Sequence, residues 1–253
     1  MDNPVEVILG TARGVILLCD HASNAIPTRY GALGLPPGQL ERHIAYDIGA
    51  AGVTRIMAAR LGCTAVLSRF SRLLIDPNRG EDDPTLIMRI SDGAVIPGNA
   101  EMTEAERRER LALFYAPYHA AVSAAIDASL AAGVSPVLVS LHSFTPVWRG
   151  MARPWHAGVL WDADDRLARP MIDAMRAWGD VEVGDNEPYS GQLHGDCMHR
   201  HGTSRGLAHA LIELRQDLIA DEAGQLIWGE RLADLIYRVV KTPRLDALHP
   251  RCD

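Results

Sequence analysis

Short, uniformly apolar runs alternate with longer amphipathic stretches along this chain, and the alternation predicts strands separated by helices. Residues 14–19 (GVILLC), 136–141 (PVLVSL), 156–161 (HAGVLW) and 208–214 (AHALIEL) have the pattern of strands covered on both faces. Briefer runs at 64–67, 73–75 and 181–183 predict further short strands. Residues 39–61 predict a helix, with Ile44, Ile48, Ala51 and Arg55 about one turn apart. Residues 103–132 predict a long helix, opened by the capping box Thr103-Glu-Ala-Glu106 and bent or broken at Pro117. Further helices are expected at 165–178 and 221–240. The longest irregular stretch, 79–99, has the length of loops that border sites. The predicted fold is α/β: one domain over 1–253, a mostly parallel twisted sheet with helices on both faces.

Composition narrows the partners. The chain has 253 residues, 47% hydrophobic and 23% charged, which places it among globular proteins. A net charge of -7 argues against nucleic acid as a partner, while leaving room for a local basic pocket. Lys241 is the one lysine, against 24 arginines. It stands near the C-terminus with no Gly-rich loop before it, so phosphate-loop and Schiff-base chemistry are not expected. Arginine, by contrast, can grip a carboxylate through two parallel hydrogen bonds. No apolar run is long enough to span a membrane, and the first ten residues do not read as a secretory signal. Cys19, Cys63, Cys197 and Cys252 are scattered without a CxxC pair, so neither a disulfide scaffold nor a cysteine-based zinc cluster is expected. A reducing cytoplasm fits this usage. The sequence does not speak to an oligomeric state.

In open α/β sheets, ligands bind beyond the carboxyl ends of the strands. Three predicted strands end in chemically useful residues: Asp20-His21 after the first, His142-Ser143 after PVLVSL, and Glu213 within ALIEL. Two histidines and a carboxylate at three strand ends are what a mononuclear zinc hydrolase needs: imidazole ligands, a water and a proton acceptor. Taken singly, each histidine reads rather as a strand cap or a bond to a backbone carbonyl, and only the three residues together bring the metal reading level with it. A third group, Arg69, Arg72 and Asp76-Pro-Asn78-Arg79, reads either as a carboxylate receptor or as a solvated turn.

Taken together, these segments resemble the N-formylglutamate amidohydrolase family. The matching stretches are CDHASNAIP (19–27), HIAYDIGA (43–50), SRLLIDPNRG (71–80), SLHSFTP (140–146), DNEPYSG (185–191) and HGTSRGLAHALIELRQDL (201–218). Their order and joint presence, rather than any one motif, carry the resemblance, which spans nearly the whole chain. It implies a phosphorylase/hydrolase-like fold related to zinc carboxypeptidases and aspartoacylases. It also implies one zinc ion per chain and hydrolysis of a small anionic N-acyl amino acid such as N-formylglutamate. Position by position, His21 and His142 would be zinc ligands, Glu213 the general base and acid, and Arg72 a carboxylate or oxyanion partner. Asn78 and Arg79 would hold the substrate carboxylate, and Tyr189 would close over it. Ser143 and His201 join the expected substrate contacts, His201 donating to substrate or orienting Glu213, or equally standing as a loop residue. One departure stands out: the related peptidases have His-x-x-Glu on the metal, and the fourth position here is Asn24. Asp47 is then the expected third ligand, with Glu187 and Asp20 behind it.

Neither Ser23 nor Ser143 sits in a GxSxG elbow, and no HExxH occurs, which sets aside serine hydrolases and that metalloprotease class. Two alternatives to the amidohydrolase remain. One is a carboxypeptidase-like hydrolase of a peptide or cell-wall fragment, and the other a metal-poor relative that only binds an anion.

Overall fold

The computed structural model describes residues 3–241. Cys252 falls outside them. A seven-stranded sheet forms the frame: β1 (Val5–Ile8), β2 (Ala12–Cys19), β3 (Cys63–Ser68), β4 (Val137–Phe144), β5 (Ala157–Leu160), β6 (Val183–Asp185) and β7 (His209–Arg215). The spatial order is β1-β3-β2-β4-β7-β5-β6. The central strands β3, β2, β4 and β7 run parallel. β1 closes one edge antiparallel to β3, and β5 pairs antiparallel with β7 while β6 runs parallel to β5. The sheet is therefore mostly parallel, and β1 is a strand the hydrophobic pattern did not announce.

The α-helices longer than one turn are α1 (Ala50–Leu61), α2 (Glu104–Arg110), α3 (Ala116–Ala131), α4 (Ala168–Arg176), α5 (Cys197–His201) and α6 (Glu222–Val239). Side chains alternate across β2 as strand geometry requires. Leu17 and Cys19 pack in one core with Val53 and Met57 of α1 and Leu232 and Ile236 of α6. Ile16 and Leu18 pack in a second core, under Tyr118, Val122 and Ile126 of α3. Each such fully buried aliphatic side chain contributes about 1.5–3 kcal/mol. Two filled faces explain why the central strands read as unbroken apolar runs. No helix among the described residues is long and apolar enough to cross a membrane.

Three predicted elements differ. The helix expected from residue 39 begins only at Ala50. Its capping residue, Gly49, has φ +82°, and a Cβ there would meet the Ile219 carbonyl oxygen at 2.1 Å. Before it the chain is held off the helical path: the Asp47 amide donates to the His21 carbonyl, and the Arg72 amide to that of Ala45. Residues 73–75 are fully buried but form a turn, with the Leu74 amide bonded to the Ser71 carbonyl. An apolar run thus signals burial without specifying a strand. The long helix divides at a π-helical turn, Leu111–Tyr115, immediately before Pro117, whose missing amide cannot continue the α-helical ladder. Thr103 caps α2 as expected, accepting from the Glu106 amide at 3.2 Å, but the Glu106 carboxylate pairs with Arg110 instead of closing the box.

Candidate active site

The carboxyl ends of β2, β4 and β7 lie side by side at the sheet centre. His21 stands two residues past the end of β2, and His142 near the end of β4. Glu213 of β7 is the register partner of His142. The 42–49 segment, kept out of α1, delivers Asp47 between the two imidazoles. Asp47 Oδ2 lies 2.8 Å from His142 Nδ1 and 3.3 Å from His21 Nδ1. All three side chains are buried, and their donor atoms fall within 4.8 Å of one another.

The far side of each ring explains which nitrogen points inward. His21 Nε2 is 2.7 Å from Asp76 Oδ1, and His142 Nε2 is 3.0 Å from Asp20 Oδ2. Burial opposes charge on Asp76, but Arg72 and His21 hold its carboxyl well below the usual range. Burial likewise opposes charge on Asp20, and the His142 bond and charge, with His21 and the Ser140 hydroxyl, overcome it. Ionised carboxylates only accept, so each Nε2 carries the donated hydrogen. A ring holding only that hydrogen would turn an Nδ1 lone pair toward Asp47, itself an acceptor. Three acceptors facing one another need a proton or a cation among them. Two imidazoles and one carboxylate, each imidazole backed by a further carboxylate, match the donor set and outer shell of a divalent-metal centre such as zinc.

The electrostatics agree. Burial opposes ionisation of Asp47, and His21 and His142 drive its carboxyl far down. Burial also opposes charge on His142, and its bonds to Asp20 and Asp47 raise the imidazole well above its ordinary value. A cation binding here has to displace that proton. Burial pushes the Glu213 carboxyl up to about 8, His142 pulling it back and Asp47 adding to the rise. Its Oε2 is buried without a hydrogen-bond partner.

His21, Asp47, His142 and Glu213 line a cavity of about 490 Å³ with His43, Arg72, Asn78, Arg79, Ser143 and Tyr189. Arg72 is committed to the cluster itself: one arm reaches Asp76 Oδ2 at 2.9 Å, the other Asp47 Oδ1 at 3.5 Å. Asn78 Oδ1 accepts from the Cys197 amide at 3.1 Å. Arg79 is bonded to the Asn78 carbonyl and the Thr85 hydroxyl. The Tyr189 hydroxyl accepts from Arg153 at 3.0 Å. The Ser143 hydroxyl donates to the Ile48 carbonyl at 2.9 Å, and its amide approaches Asp47 Oδ2 at 3.3 Å.

His201 lies elsewhere. It does not line the cavity; its Nε2 is 2.8 Å from His119 Nδ1, with Cys197 alongside. Burial drives His119 down to about 3 and His201 to about 4, so a single hydrogen between two neutral rings accounts for the contact. Glu187 is likewise absent from the lining, and Asn24 donates to the Leu40 carbonyl. Sequence reading passed over Asp76 as a histidine partner and Arg153 altogether. Asp76 sat in plain view in the DPNR segment, but partnership across 55 residues leaves no local signal.

The sequence model of the N-formylglutamate amidohydrolase family matches residues 13–220. Among solved structures, a gene product of Agrobacterium tumefaciens is 38% identical, over 94% of this chain and 95% of that one, with a TM-score of 0.89. An N-formylglutamate amidohydrolase from Ralstonia eutropha is 22% identical, over 94% of this chain and 97% of that one, with a TM-score of 0.66. No curated protein matches the sequence.

Proposed function

Because this chain belongs to the N-formylglutamate amidohydrolase family, and is thus a hydrolase acting on an amide bond, we propose that its pocket cleaves small N-acyl amino acids with the help of a zinc ion held by His21, Asp47 and His142. The observation that carries this reading is the convergence of two Nδ1 atoms on Asp47 Oδ2 beside the unpartnered Oε2 of Glu213. Bound there, zinc would lower the pKa of a water to about 7 and polarise the acyl oxygen.

The chain's own residues supply the rest. Glu213 Oε2 takes a proton from the attacking water and returns it to the leaving nitrogen. A carboxyl near 8, lowered toward neutrality by a neighbouring cation, can do both at ordinary pH. Asn78 and Arg79 hold the substrate carboxylate and so fix the amide carbon beside Glu213 and the metal ligands, the positioning part of catalysis. Arg72 holds Asp47 and Asp76 in place, and its position in the lining lets it face the developing oxyanion. Tyr189, held by Arg153, covers the substrate; Ser143 keeps Asp47 in line. In the namesake reaction the products are formate and an amino acid.

A volume of about 490 Å³ suits a small ligand, which favours this reading over a carboxypeptidase-like enzyme working on an extended peptide. The test is formate release from a panel of N-formyl amino acids, with and without a chelator. Release that stops with chelator and returns with zinc supports the proposal. A protein that binds no zinc after reconstitution, yet retains anions, is the binding relative instead.

A further inference from the structure

The cavity's charges favour one substrate carboxylate. Of its two lining guanidiniums, Arg72 is spoken for by Asp47 and Asp76. Among the described residues, Arg79 is the lining guanidinium with no carboxylate at ion-pair distance, its charge reaching Asp76 and Asp196 only from farther off. His43 is pushed down by burial despite its contact with Asp92, so it offers no dependable positive charge. Asp92, also in the wall, is itself an anion paired with Arg42. Arg153 does not line the cavity; its guanidinium lies over the rings of Phe144, Trp148 and Tyr189 at 5.0–5.5 Å.

The floor beside the catalytic glutamate is apolar. Leu211 precedes Glu213 by two residues and so shares its face of β7. Leu160 of β5 is its register partner, and both line the cavity. Leu193 lies beside both in a neighbouring recess, and Met88, Ile44 and Trp148 also line the cavity. A carboxylate placed against these groups loses its hydration and gains no partner, whereas an aliphatic or aromatic side chain gains contact.

We infer that the amino-acid half of the substrate carries an apolar side chain, of leucine, methionine or phenylalanine type, seated on Leu160, Leu193 and Leu211, with its single carboxylate on Arg79. This rests on the reading of the site as an N-acyl amino acid hydrolase. It narrows that reading away from acidic substrates such as N-formylglutamate.

The experiment measures kcat/KM of the full chain, supplied with zinc, for N-formyl-leucine, -methionine, -phenylalanine, -glycine, -aspartate and -glutamate. The expected result is a preference of roughly tenfold or more for the apolar members over the acidic ones. In Leu193→Ala, the ratio of N-formyl-leucine to N-formyl-glycine should fall about fivefold through KM, since one apolar contact surface is lost. A preference for N-formylglutamate overturns the inference and leaves the amidohydrolase reading standing. If that preference disappears in Arg153→Gln, Arg153 is the second carboxylate receptor. No formate from any member overturns both the inference and the reading of the site as an N-formyl amino acid hydrolase.

Discussion

Asp20 Oδ2 lies 3.0 Å from His142 Nε2, so the ring that meets Asp47 is oriented from behind by a second, fully buried carboxylate. Asp20 is fixed in turn by the Tyr118 and Ser140 hydroxyls at 2.8 and 2.7 Å. Asp20→Asn keeps the shape but removes the charge that favours a hydrogen on Nε2. Zinc affinity should fall about 10–100-fold with the fold retained. Competition against a calibrated chelator measures it, and parental affinity in the variant would show that Asp20 serves only the core.

Glu213→Gln removes the proton acceptor and leaves His21, Asp47 and His142 untouched. Activity should fall by about 10²–10⁴ while zinc content and circular dichroism match the parent. Parental turnover in this variant would place the base elsewhere.

Arg72 makes a different prediction. It bridges Asp47 and Asp76, both buried, and Arg72→Met leaves two carboxylates without their shared counter-charge. Removing one partner from such a network costs about 3–5 kcal/mol. Denaturant unfolding should therefore show a large loss of stability together with weakened zinc binding. A variant that loses turnover alone, with stability unchanged, would assign Arg72 to the oxyanion only.

What the sequence disclosed follows from how each feature is encoded. The strands bearing His21, His142 and Glu213 were legible because burial on both faces writes an unbroken apolar run. The segment around Asp47 was not, because its helical periodicity is real while Gly49 and the bonds of Asp47 and Ala45 pull it off the helical path. Residues 73–75 misled for a related reason: composition reports burial, and a buried turn is as apolar as a strand. Arg153 and the Asp76–His21 contact depend on long-range closure and leave no local trace. His201 was drawn to the pocket by its motif, but α5 turns it toward His119.

Glu213 also sets a pH dependence. Its carboxyl lies at about 8 against an ordinary 4.5, chiefly through burial. Between those values the folded, metal-free chain keeps a proton that the unfolded chain has released, so raising pH favours unfolding. The contribution is at most about 1.4 kcal/mol per pH unit. Asp196, raised by burial to about 7, acts in the same sense, and buried His119 and His201 act oppositely at lower pH. The difference between parent and Glu213→Gln isolates the contribution of Glu213. In chelator, the parent should lose stability relative to the variant as pH rises from 5 to about 8. A constant difference would mean that Glu213 titrates at its ordinary value.

Arg79 is the last residue whose role the geometry makes measurable. It makes no ion pair at contact distance, so its removal should cost binding more than folding. A charge-assisted hydrogen bond is worth about 1.5–3 kcal/mol, which is about 10–100-fold in affinity. Arg79→Met should raise KM by that factor with a smaller change in kcat and near-parental thermal stability. Arg79→Lys should recover part of the loss, because the charge returns without the two-pronged geometry. If KM stays put and stability drops instead, Arg79 braces the loop through the Asn78 carbonyl and Thr85, and the substrate carboxylate is held by another group.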